Sequence, residues 1–211
     1  MLSFSLAIAS IVFFLSYLLF TTYIYKKESG ETFSFRNSYP FELWIKRSRS
    51  FSWANIILFI ALGLGFGSFL SFTIQNFNVN SAFLSFYALL SFFGVLTLFY
   101  IPPYKLKAFL MFAIVSSISV AILNFQLIFI FFRDVNFMET TFFYVALIIS
   151  LLLGLIGLVS SFFIRIDDLK MLKDEKGNLI RPKIILMAVS EWLVIIAAFL
   201  TQIALVIYIM G

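Results

Sequence analysis

Residues 26–53 read KKESGETFSFRNSYPFELWIKRSRSFSW, the longest break in an otherwise almost continuous apolar sequence. The stretch carries six of the fifteen Lys and Arg residues of the chain. Before it lies LSFSLAIASIVFFLSYLLFTTYIY at 2–25, and after it a second apolar run at about 54–74. A helix needs about 20 apolar residues to cross the hydrocarbon core of a bilayer. Both flanking runs meet that length. The break is therefore a loop between two membrane spans, and the rest of the chain can be placed by counting outward from it.

Composition agrees. Hydrophobic residues make up 63% of the 211 and charged residues only 12%, with a mean hydropathy of +1.07. Soluble domains average about 25% charged residues, and half that number cannot cover a water-facing surface. Further runs at about 81–101, 108–132, 140–164 and 184–210 bring the expected spans to six, in one membrane domain over 1–211. The first run lacks a basic leading region and a small-residue cleavage site, so it is expected to stay as a span.

Lys and Arg by loop set the orientation. Residues 26–53 carry six, 102–107 two and 165–183 six, whereas 75–80 carry none and 133–139 carry Arg133 alone. Positive charge thus falls on alternate loops. By the positive-inside rule those loops are cytoplasmic, or face the matrix or stroma of an organelle, and both termini face out. Loop placement accounts for the net charge of +5 without invoking nucleic acid.

Within 26–53 the pattern changes at Pro40. Phe41, Trp44 and Ile45 recur at helical spacing while Glu42, Lys46, Arg47 and Arg49 take the other positions. Proline in a first turn followed by an acidic residue fits a helix start. The expectation is a short amphipathic helix over 40–49, anchored in the interface by Phe41, Trp44, Lys46, Arg47 and Arg49. In 165–183, Leu169, Met171 and Leu172 among Asp167, Asp168, Lys170 and Lys173 suggest a short charged helix, closed by a turn at 176–178 and stopped by Pro182.

Small residues mark expected helix contacts. Gly63, Gly67 and Ser71 share one face of the second span, and Gly154, Gly157 and Ser161 lie on one side of the fifth. In lipid such faces allow close backbone approach. Gly65 falls off the first face. Ala113, Ser117, Ala121 and Asn124 give the fourth span a polar side, with Ser116, Ser119 and Gln126 nearby. That side suits hydrogen bonding to a neighbouring helix, or a hydrophilic path of Ser117, Asn124, Gln126 and Glu191. Glu191 is the lone ionisable residue well inside an expected span, and Trp192 beside it suggests headgroup depth, with Arg181 or Lys183 as its partner.

The chemistry these residues exclude is broad. With no Cys and no His there are no thiolate nucleophiles, disulfides, imidazole bases or the usual metal and haem ligands. No phosphate-binding glycine loop or metal-ligand cluster is present. Adjacent acidic pairs at 167–168 and 174–175 point about 100° apart on a helix and do not converge. The expectation is a non-enzyme without cofactor or metal: a subunit or scaffold of a membrane complex, in contact with lipid and another membrane protein. A cytoplasmic partner would sit on 26–53 and 165–183. The second reading is a small permease or permease half, paired with a cytoplasmic ATPase. The absence of targeting features fits a bacterial plasma membrane, with an organelle inner membrane as the other possibility.

Overall fold

The computed structural model describes residues 1–45, 49–76, 78–101, 106–164, 172–173, 179–180 and 183–211. Six helices among them are long and apolar enough to cross a membrane. They are α1 (Leu2–Ser29), α3 (Arg49–Gln75), α4 (Val79–Tyr100), α5 (Leu106–Phe131), α7 (Thr141–Phe162) and α8 (Leu186–Met210), with short helices α2 (Pro40–Ile45) and α6 (Val135–Met138) between them. The protein is an all-α, multi-pass integral membrane protein.

Local chemistry sets the helix ends. Gly30 takes the left-handed conformation at φ 74° and returns its N–H to Lys26 O, closing α1 four residues beyond the expected limit. Asn78 caps α4 by accepting Ser81 N–H, and the Ser81 hydroxyl accepts Asn78 N–H in return. At the start of α2, the Glu42 carboxylate accepts Tyr39 N–H at 3.0 Å, the acidic half of the same device.

Helices α1, α3, α4, α5 and α7 follow one another around the bundle, each packed on the next. Helix α8 closes the ring between α7 and α1 and also reaches α3, α4 and α5. It is the most enclosed span. At mid-depth Phe14 of α1 stacks on Phe199 of α8 with centroids 3.8 Å apart, and Phe92 of α4 meets the same ring edge-on.

The bundle has two distinct ends. At one, Arg36 O accepts Ile185 N–H and Ser38 O accepts the Trp192 indole N–H, tying the loop after α1 to the start of α8. At the other, Ser3 bonds Ser71, and Tyr208 donates to Asp134 across 2.8 Å. The described parts of the first and fifth loops thus share one end. The chain termini share the other with the α3–α4 and α5–α6 turns.

Three local expectations change. Helix α2 is described over Pro40–Ile45, and its enclosed residues are Pro40 and Leu43, the latter packed on the bundle, while Phe41 is half-buried. Lys46 and Arg47, and the side chains of Trp44 and Arg49, lie outside the described residues. In place of a charged helix, Leu172–Lys173 pair antiparallel with Leu179–Ile180. Gly177 and Asn178 between them are residue types suited to a hairpin reversal; the turn expected at 176–178 itself lies outside the described residues. Trp192 is buried rather than lipid-facing, edge-on to Phe33, Phe35 and Phe99.

Candidate functional site

The polar side chains of the interior gather on α8 and the helices that embrace it. In a bilayer each such group needs a partner within the protein, because lipid offers none. Thr201 donates to Ala197 O one turn back and accepts Asn124 Nδ2 from α5 at 2.9 Å. The neighbouring Gln202 points elsewhere on the helix and donates to Ser10 Oγ of α1 at 2.9 Å, while Ser10 donates onward to Ala61 O of α3. Two adjacent residues of α8 therefore tie it to α5 on one side and to α1 and α3 on the other.

The Ser117 side of α5 does not face open space. A methyl placed on Gly157 of α7 would lie 2.8 Å from Ala121 N and 2.9 Å from Ser117 O, inside contact distance of backbone. Gly154 sits against the Phe125 ring and Asn124 Cβ. Ser117, Ala121 and Asn124 of that row are thus met by the glycines of α7. Ser117 turns its hydroxyl back to Ala113 O on its own helix.

Other expected site residues scatter. Gln126, two positions from Asn124 and so about 200° around the helix, is half-buried, and its enclosed Oε1 has no partner among the described residues. Ser161 is half-buried at the end of α7 and bonds Leu158 O. On α3, Ser71 bonds Ser3, and Gly67 faces Leu6 at 3.7 Å for a Cβ. A Cβ on Gly63 would have no described atom within 4 Å. Gly65, off the recognised stripe, is the enclosed glycine of that helix: a Cβ there would lie 2.7 Å from Phe92 and 3.0 Å from the Gln202 amide. Gly94 on α4, which sequence reasoning missed, approaches Ser116 of α5 as closely.

Glu191 stands apart, about 15 Å along α8 from Thr201 at 1.5 Å per residue. It is 2% exposed, and neither carboxyl oxygen accepts a hydrogen bond from a described residue. Lys183, an expected partner, is exposed to the outside, and Arg181 lies outside the described residues. The packing of Trp192 places this turn of α8 under the folded-back loop at 33–38, inside the protein. No group of three or more acidic side chains gathers among the described residues, so Glu191 is not part of a carboxylate cluster there. Several other enclosed polar atoms also lack partners among the described residues, including Asn124 Oδ1, Gln202 Oε1, Ser116 Oγ and Ser150 Oγ.

No protein-family model matches the chain, and no curated protein or solved structure is significantly similar to it.

Proposed function

We propose that this chain is a non-catalytic subunit or scaffold of a membrane complex. Residues 26–53, 102–107 and 165–183 face the cytoplasm in this reading, and both termini face out, in the plasma membrane of a bacterium. The observation that carries it is the α5–α7 crossing. The side of α5 bearing Ser117, Ala121 and Asn124, the one a hydrophilic path would use, is filled by the glycine face of α7 and by Thr201 of α8. An interior packed this closely supports a role in assembly over conduction. The partners are lipid, another membrane protein and a cytoplasmic protein on the two large loops.

The test is purification of the tagged chain in mild detergent with mass spectrometry of the accompanying proteins. A stoichiometric membrane protein that disappears from its own complex when the chain is deleted is the expected result. A lone folded monomer, with every membrane complex intact in the deletion strain, would sink the reading.

A small permease remains the second reading because of one observation, the enclosed carboxyl of Glu191 without a described partner. Ionisable groups at membrane depth are costly and tend to mark ion or proton paths. The cysteine-free sequence makes the discrimination clean. Single cysteines at Ser117, Ala121 and Asn124 are expected to resist a water-soluble maleimide in native membranes. Rapid labelling at all three would transfer the weight to the permease.

A further inference from the structure

At the end that carries the termini, a cleft of about 540 Å³ opens between the α3–α4 turn and the α5–α6 turn. That volume falls within the range of small-molecule sites. Phe72, Ile130 and Tyr208 give it apolar lining, and Asn76, Asn78, Asn80, Arg133 and Asn136 supply polar groups. We propose that this cleft binds a phosphate-bearing polyol.

The walls are already fixed without a ligand. Asn76 donates to Phe72 O, Ser81 donates to Asn76 O, and Thr73 donates to Ser81 O, so the α3–α4 turn is braced from both sides. Opposite, Asp134 accepts Phe137 N–H with one carboxylate oxygen and the Tyr208 hydroxyl with the other. Each carboxylate oxygen thus helps to hold the wall.

The groups left over define the ligand. Asn80 and Asn136 make no side-chain hydrogen bond among the described residues, and each carboxamide offers a donor and an acceptor together. Vicinal hydroxyls need that pairing. Arg133 has no described ion-pair partner, and its guanidinium lies over the Phe129 ring at 5.2 Å. A guanidinium held by its face keeps its in-plane N–H groups available for a phosphate. Arg133 is also the one basic residue outside the three basic stretches. Orientation gains nothing from a cation at this end, but an anion site does. Exposed Phe129 and Phe132 flank it, at the level where α5 ends. The same chemistry is offered by the headgroup of phosphatidylglycerol and by free glycerol phosphate.

The test uses the full chain in mild detergent, with native mass spectrometry against phosphatidylglycerol, phosphatidic acid and phosphatidylcholine, and calorimetry with sn-glycerol 3-phosphate. Phosphatidylglycerol is expected to be retained above the other two lipids, because only it joins a phosphate to free hydroxyls. Arg133→Gln should lower that retention about 10-fold, the scale of a lost charge-assisted bond. Asn80→Ala with Asn136→Ala should erase the preference over phosphatidic acid. Arg133-dependent binding of glycerol phosphate without lipid selectivity would make the ligand soluble and uphold the chemistry. Equal retention of all three lipids with no glycerol phosphate binding, or an Arg133→Gln variant that folds and binds like the parent, would overturn the proposal. A matching thermal unfolding profile for each variant separates loss of binding from loss of fold.

Discussion

Two glycine-bearing faces that look alike in sequence do different things in the molecule. On α7, Gly157 lets two helix backbones meet, and its missing Cβ is the reason Ala121 N and Ser117 O can lie where they do. On α3, Gly67 and Ser71 of the stripe meet α1 through Leu6 and Ser3, within the most extensively packed helix pair of the bundle, whereas a Cβ on Gly63 would have no described atom within 4 Å. The close approaches of α3 are made elsewhere, by Ala61 O to Ser10 and by Gly65 to Phe92. A four-residue period of small side chains identifies a face. Which neighbour that face meets, and at what height the helices diverge, depends on crossing geometry that the period does not carry.

The largest expected effect is at the crossing. Gly157→Leu should leave little folded protein, since the added atoms meet backbone on α5 that cannot rotate away. Gly157→Ala should cost about 1–3 kcal/mol, the usual scale of overpacking, and Gly94→Ala a similar amount against Ser116. Gly63→Ala should change stability by less than about 0.5 kcal/mol, as an outward substitution does. Reversible unfolding in mixed detergent micelles measures all of them. Equal costs at Gly157 and Gly63 would remove the distinction between the two faces.

A second contrast lies along α8. Thr201 and Gln202 each have a protein partner, whereas Glu191 is equally buried without one among the described residues. Replacing an unpartnered buried polar group by an apolar side chain of similar size removes a desolvation cost of about 1–3 kcal/mol. Glu191→Leu should therefore raise the unfolding midpoint, while Gln202→Leu, which removes the donor to Ser10 Oγ, should lower it. A destabilised Glu191→Leu variant would mean that the carboxyl is held by a group outside the described residues.

Most of the architecture was legible because the bilayer imposes it. Six apolar runs separated by polar loops yield six spans, with limits agreeing to within about five residues, since hydrocarbon thickness and helix rise fix the count. The site was less legible, and Trp192 shows why. An indole beside a carboxylate reads as a headgroup anchor, because an amphipathic ring suits that layer. Here the wet end of the ring is served by Ser38 O and its body by Phe33 and Phe35, from a loop more than 150 residues away in the chain. Nothing local to residue 192 distinguishes a lipid carbonyl from a protein one. The short pairing of Leu172–Lys173 with Leu179–Ile180 was missed for a related reason. Alternating charges over so short a segment satisfy a helix and a hairpin equally, and only the Gly177-Asn178 pair favours the latter.

The smallest expected effect sharpens the first comparison at the level of single hydrogen bonds. The Asn124–Thr201 bond lies behind the close α5–α7 crossing, and the Ser3–Ser71 bond lies at the N-terminal end of α1, where the α3 stripe meets it. Hydrogen bonds between membrane helices are worth about 0.6 kcal/mol on average, because the unfolded chain in lipid also finds partners. A double-mutant cycle of Asn124→Ala with Thr201→Val should give a coupling at or above that value, since the rigid crossing leaves neither side chain an alternative. Ser3→Ala with Ser71→Ala should couple less. Ser71 also accepts Gln75 Nε2 at 3.4 Å, and Ser3 is the second residue of α1, within its first turn, where fraying relieves the loss. A larger coupling at Ser3–Ser71 would place the rigid seam of the bundle between α1 and α3 and make the Gly157 crossing the yielding one.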